Sequence, residues 1–216
     1  CGYPVENLIE IFSKNPALKI KLSTEKIDRN SINVQKFNVE WSENHNHRHF
    51  KDIKQIISDL DINEKIKNNS IGAFKLLAET EGKMHGLKYD EIHFHEVGAV
   101  DSIVDIVSIM CCIDYFNIEK IYTSRIPLPY GTIQCQHGTI PNPAPATMEL
   151  LRGFPFYKVD IDEQMITPTA ACILKYFKHE EDFREFIPEI TGMGAGTRII
   201  KNTPGFLRIS IGKVEF

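Results

Sequence analysis

Three histidines alternate in a short polar stretch, His45-x-His47-x-His49. Neutral imidazole suits nickel, zinc and copper, and three rings at two-residue spacing can converge on one cation. An open, flexible arrangement of this kind fits capture and release. Permanent structural binding needs a closed and supported ligand shell. The plain alternative is a solvated polar loop over residues 42–49. A second group is denser: His93-Phe94-His95-Glu96-Val97-Gly98-Ala99-Val100-Asp101, followed by Asp105. On a strand, His93 and His95 share one face and Phe94 takes the other. Asp101 and Asp105 are four apart, so they share one face of a following helix, near its N-terminus, where the dipole favours carboxylates. Ionisable groups this crowded are costly to bury without a metal or mutual pairing. Two imidazoles beside carboxylates can bind a divalent ion or act as acid and base. Structural roles are also open: Asp101 as a helix cap, His93 as a core histidine.

Three further stretches have the makings of an anion site, because helix N-termini and glycine-rich turns present free N–H groups. They are Gln136-His137-Gly138 running on to Thr147, Thr167-Pro168-Thr169 at a helix start, and Gly192 to Arg198, with Gly194 and Arg198. Each also reads as an ordinary turn or cap. The glycine segment is not followed by a helical pattern, so a dinucleotide-binding fold is excluded. His85, four residues after Glu81, either joins the second cluster or stabilises a helix C-terminus. Cys111 and Cys112 sit in an apolar helical run and read as buried, inert thiols.

The elements that must position these residues can be traced from hydrophobic spacing. Val5, Leu8, Ile9 and Phe12 form a helical stripe ended by Pro16. Residues 18–22 and 32–41 form a hairpin around Asp28-Arg29-Asn30. Helices are expected over 50–60 and from Asp61 to Met84, with Gly86 as a C-cap. A short strand over 92–97 leads to a buried central helix over 100–116. Strands are expected at 121–126, 131–135, 156–161 and 206–211. One helix covers 143–151, capped by Asn142, and another covers 167–177, with Pro168 in its first turn. The fold class is therefore mixed α/β, with a helix-rich first half and a strand-rich second half. Composition shifts near Tyr122, giving regions 1–121 and 122–216, or one continuous domain.

The 216 residues carry 25 Lys and Arg against 29 Asp and Glu, a formal charge of −4. That balance offers no electrostatic footprint for nucleic acid. The longest apolar run, 103–116, contains Asp105 and Asp114 and is too short to span a bilayer, so no membrane role is expected. The five cysteines have no paired spacing, which suits a reducing cytoplasm. The chain starts at Cys1 directly on an amphipathic pattern, which is expected of a segment of a longer protein. Oligomeric state is left open, with a homo-oligomer among the options.

Together, the His-x-His-x-His loop, HFHEVGAVDSIVD, HGTIPNPAPAT, TPTAA and GMGAGTR resemble the LarC nickel-insertion proteins. The resemblance implies insertion of Ni(II) into pyridinium-3,5-bisthiocarboxylic acid mononucleotide. That reaction forms one carbon–nickel and two sulfur–nickel bonds, with CTP hydrolysis and Mg(II) or Mn(II). On that basis His45, His47 and His49 would collect nickel, and His93 and His95 would hold it. Glu96, Asp101 and Asp105 would hold it too, or remove the ring proton as the carbon–nickel bond forms. His137, Gly138, Thr167, Thr169, Gly194 and Arg198 would bind the mononucleotide. Full-length members are longer at both ends, and the CTP-binding part is among the missing pieces. This sequence departs from the family pattern at Gln164, usually Glu, at Ala170, usually Gly, and at Pro204-Gly205, usually Pro-Asn. Two other functions stand beside this one: a nickel store or chaperone without chemistry, and a metal-dependent hydrolase.

Overall fold

The computed structural model describes residues 1–16, 18–41, 48–94, 100–135, 138–178 and 185–215. In chain order the elements are α1 (Val5–Ser13), β1 (Ile20–Arg29), β2 (Ile32–Trp41), β3 (Arg48–His49), α2 (Phe50–Ser58), α3 (Glu64–His85), β4 (His93–Phe94) and α4 (Val100–Tyr115). Then follow β5 (Ile126–Leu128), β6 (Thr132–Cys135), β7 (Gly138–Pro141), α5 (Pro145–Leu150), β8 (Phe156–Lys158), α6 (Pro168–Tyr176), β9 (Glu185–Gly194) and β10 (Leu207–Glu215). The mixed α/β class expected from the spacing is the class observed.

The chain divides into two compact units, one formed by Cys1–Ser42 with Glu180–Phe216, the other by Glu43–His179. The composition shift near Tyr122 falls inside the second unit. Elements from both sides of it pack together there: α4 on α6, and α3 on both α5 and α6.

The first unit is a four-stranded sheet in the order β1-β2-β9-β10, with α1 packed on β1. The β1–β2 hairpin pairs over ten residues and turns at Asn30 and Ser31, whose φ angles are +53° and +63°. Two left-handed residues give a turn whose twist matches the strands, so the turn sits one position later than Asp28-Arg29-Asn30. The Asp28 carboxylate steadies it by accepting the Ser31 N–H at 3.1 Å. The segment expected to be a glycine-rich turn is instead the end of β9. Gly192 and Gly194 pair with Ile209 and Leu207 of β10, and Gly194 also meets Gln35 of β2.

The second unit is built around α3, which packs against α2, α4, α5 and α6. Local chemistry fixes both of its ends. The Asn63 side chain accepts the Ile66 N–H at 2.9 Å, satisfying one of the free amides of the first turn. Gly86 closes the helix in the left-handed conformation at φ +68°. In α4, Ile103, Val104, Ile106 and Val107 are fully buried and Met110 almost so. Each contributes roughly 1.5–3 kcal/mol of burial. Asp114, which interrupts that apolar run, turns to the surface and pairs with Lys65 at 2.9 Å and Asn63 at 2.8 Å.

Two local expectations are corrected here. Residues 121–125 are not in a strand; β5 begins at Ile126, where β8 supplies a parallel partner. Asn142 does not cap α5. Its amide donates to the Tyr130 and Asp162 carbonyls at 3.2 and 3.3 Å, and α5 starts later, with Ala144 at the cap position and Pro145 in the first turn.

Candidate functional site

The two histidine motifs meet. β3 and β4 form an antiparallel two-stranded ribbon with Arg48 opposite Phe94 and His49 opposite His93. Alternation along each strand sorts these four residues onto two faces. Phe94, only 1% exposed, points inward and packs edge-on against Phe74, and its partner Arg48 is buried too. His49 and His93 therefore share the outer face. Their ring centroids lie 3.7 Å apart, with the planes tilted by 48°. Slipping β4 by one residue would turn His93 inward and expose Phe94, so core packing holds the pair in place. A second hold comes from α2. The Asp52 carboxylate accepts the backbone N–H of His49 at 2.9 Å, fixing the point where the strand gives way to the helix.

The carboxylates sit at the start of α4. Asp101 is half-buried, and its Oδ1 accepts the Ser102 N–H at 2.8 Å. This covers one of the helix's unpaired amides. Asp105 lies one turn further along. Its side chain is reached by solvent, although protein atoms surround much of it. Loss of hydration, then the neighbouring charge of Asp101, push its carboxyl up to about 6 from the ordinary 3.8. A carboxyl tuned to that range can take up and release a proton near neutrality.

The Thr167-Pro168-Thr169 motif meets α4 at the same end. Thr169 is buried, with its hydroxyl within 3.5 Å of the Ser102 hydroxyl, next to Asp101. Thr167 is the N-cap of α6 and accepts the Ala170 N–H at 3.2 Å. Pro168 has no N–H, so the first turn offers an anion at most the Thr169 amide. Five residues separate Phe94 from Val100. Asp101 follows His93 by eight residues, so the two lie no more than about 29 Å apart along the chain.

The remaining candidate residues fall elsewhere. His45, His47, His95, Glu96 and His137 lie outside the described residues. Gly138, at φ +84°, opens β7 opposite Cys135, and a Cβ added to it would meet open space. Gly194 and Arg198 belong to the first unit. There the amide following Gly194 donates to Gln35 at 3.0 Å, so it serves sheet pairing instead of a ligand. His85 ends α3 in its last turn, with its Nε2 3.6 Å from a Glu81 carboxylate oxygen. Cys111 is buried as expected, but Cys112 is only half-buried; Cys172 is buried as well, and burial pushes its thiol up to about 12. Among the described residues, no group of three or more His, Cys, Asp or Glu side chains is gathered closely enough to hold a metal. Also among the described residues, no helix is long and apolar enough to cross a membrane.

Sequence reasoning missed two positioning residues. Asp52 stands three residues after His49, the spacing by which a carboxylate reaches back to a helix start, so its signal lies in the sequence. Ser102 lies inside the second motif, but only the fold shows that it touches Thr169.

Similarity to known proteins points the same way as this geometry. The family described as nickel insertion protein matches residues 1–215. A Staphylococcus epidermidis protein named pyridinium-3,5-bisthiocarboxylic acid mononucleotide nickel insertion protein is 36% identical over 212 residues, covering 96% of this chain and 53% of its own length. A relative from Geobacter sulfurreducens, also named for nickel insertion, is 39% identical over 204 residues, covering 93% of this chain and 52% of its own. One from Syntrophotalea carbinolica is 35% identical over 214 residues, covering 99% and 54% respectively. No solved structure matches. The chain thus spans about half the length of the curated relatives it matches. With a family match over almost every residue, and with the two histidine motifs of that resemblance joined in one ribbon, the chain belongs to the nickel insertion protein family.

Proposed function

We propose that this chain is the metal-handling portion of a protein that inserts Ni(II) into pyridinium-3,5-bisthiocarboxylic acid mononucleotide. The observation that carries the reading is the contact between His49 and His93, which ties the polar histidine motif to the motif that also supplies Asp101 and Asp105. Nickel is the substrate. Imidazole suits it, and on the outer face of the ribbon His93 is exposed and His49 half-buried.

Forming the carbon–nickel bond replaces a ring C–H, so a base must take that proton. Asp105 suits this role, because it is open to solvent and held near neutrality by its crowded setting. Asp101, tied to the Ser102 amide, supplies fixed negative charge beside it. The Thr169 amide at the start of α6 is suited to the mononucleotide phosphate. His45, His47, His95, Glu96, His137 and Gly138 keep the roles that the family resemblance implies, collecting nickel or holding the substrate. CTP hydrolysis with Mg(II) or Mn(II) is assigned to the whole protein and to none of the residues named above. No disulfide joins any of the five cysteines, which fits a reducing compartment such as the cytoplasm.

The experiment is to mix the whole protein with nickel, CTP, Mg(II) or Mn(II) and the bisthiocarboxylate mononucleotide, and to follow the product by mass. A nickel adduct is expected, and it is lost with Asp105→Asn. Nickel binding with no adduct under any of these conditions would reduce the protein to a store or carrier and overturn the proposal.

A further inference from the structure

The sequence holds two separate histidine motifs, and the simplest reading gives each its own ion. The geometry points to something different. We infer that His49 and His93 ligate one and the same Ni(II), so that the two motifs share a single ion at the β3–β4 ribbon. This inference deepens the proposed function and rests on it.

Three observations carry it. First, the residues are directly opposite in an antiparallel pair, so their side chains leave the ribbon on the same side. Second, the rings already touch, with centroids 3.7 Å apart. Imidazole nitrogens bind first-row metals at about 2.0–2.1 Å, so two nitrogens on one ion stand roughly 3 Å apart. Rings in contact are within a small side-chain rotation of that spacing, and two ions on rings this close would repel strongly. Third, the inward face is locked. Phe94 packs on Phe74, Arg48 is buried, and Asp52 holds the His49 N–H. The pair is thus presented by backbone fixed from below, while its outer face stays open to exchange.

A shared ion has a mechanistic consequence. Nickel held by one imidazole from each motif can pass from one to the other by replacing ligands singly. Each step exchanges one coordinated water or imidazole for another, the oxidation state stays at +2, and the ion never leaves the protein. A two-histidine anchor also keeps most coordination positions free for the incoming substrate. This suits delivery better than storage.

The test is a double-mutant cycle read by titration with Ni(II) alone, using the full chain and the variants H49A, H93A and H49A/H93A. If one ion bridges the pair, each single substitution weakens nickel binding by at least the roughly tenfold that losing even an outer-shell partner costs. The double variant then binds about as weakly as either single one, because the second imidazole has already lost its shared ion. X-ray absorption on the nickel-loaded protein should lose imidazole scattering from the same ion in either variant. Effects that multiply in the double variant, or nickel binding unchanged in both singles, would overturn the inference. Circular dichroism of each variant separates loss of ligand from loss of fold. The outcome is also independent of turnover. A protein that binds one bridged ion but forms no adduct retains this inference while the proposed function falls, and additive effects with normal adduct formation do the reverse.

Discussion

Asp105 should cost the protein stability, and replacing it with Asn should return some. Its carboxyl stands at about 6 in the folded chain against an ordinary 3.8. The folded state therefore binds the proton more tightly than the unfolded one, and stability falls as pH rises from about 4 to about 6. Above that range the full penalty applies. The gap between 3.8 and about 6 sets a ceiling of about 3 kcal/mol at 1.36 kcal/mol per unit. Solvent reaches Asp105, so screening reduces this, and we expect about 1 kcal/mol. Asp105→Asn keeps the shape and removes the charge. At pH 7.5 it should raise the thermal midpoint by about 2–4 °C. The gain should shrink as pH falls towards 4, where the wild-type carboxyl is protonated in the folded state. Differential scanning calorimetry of both proteins at several pH values measures this directly, and an NMR titration of the Asp105 carboxyl should place its midpoint near 6. The same variant should lose nickel insertion, because a residue that weakens the fold is kept for what it does. A variant equally or less stable at pH 7.5, together with a carboxyl titrating near 4, would refute the crowded setting and the proton-acceptor role built on it.

Phe94→Ala empties a core position beneath the histidine pair and should cost about 3–5 kcal/mol in urea denaturation. Nickel affinity should fall with it, since the ribbon loses its inner anchor. Asn63→Ala removes both the α3 cap and the bond to Asp114, costing about 1 kcal/mol by the same measurement. Thr167→Ala should cost a similar ~1 kcal/mol through the lost α6 cap, with Thr167→Ser restoring it. Nickel affinity measured by calorimetry should decline on acidification, because imidazole must be deprotonated to bind metal.

Much of this protein is legible residue by residue. The stripe of Val5, Leu8 and Phe12, the Gly86 C-cap, and Pro168 behind Thr167 mark their helices through local capping and spacing, whereas the α3 start read at Asp61 falls at Glu64, with Asn63 as the cap. Such signals operate over one or two turns and are complete in the sequence. The motifs are equally visible, because residue type and interval alone define them. The glycine-rich end of β9 is not legible as a strand. Gly192 and Gly194 are paired by β10, and Gly194 also by β2, and no local preference announces that. Asn142 reads as a cap because its side chain suits one, but distant carbonyls of Tyr130 and Asp162 claim it instead. The ribbon of β3 and β4 is the sharpest case. Each strand is two residues long, too short for any periodic signal, and each exists only because the other lies beside it. The sequence by itself determined which side chains could bind a metal and which helices flank them. Only the tertiary structure decided that His49 and His93 face each other, because that pairing depends on Phe94 being buried against Phe74, a contact between segments far apart in the chain.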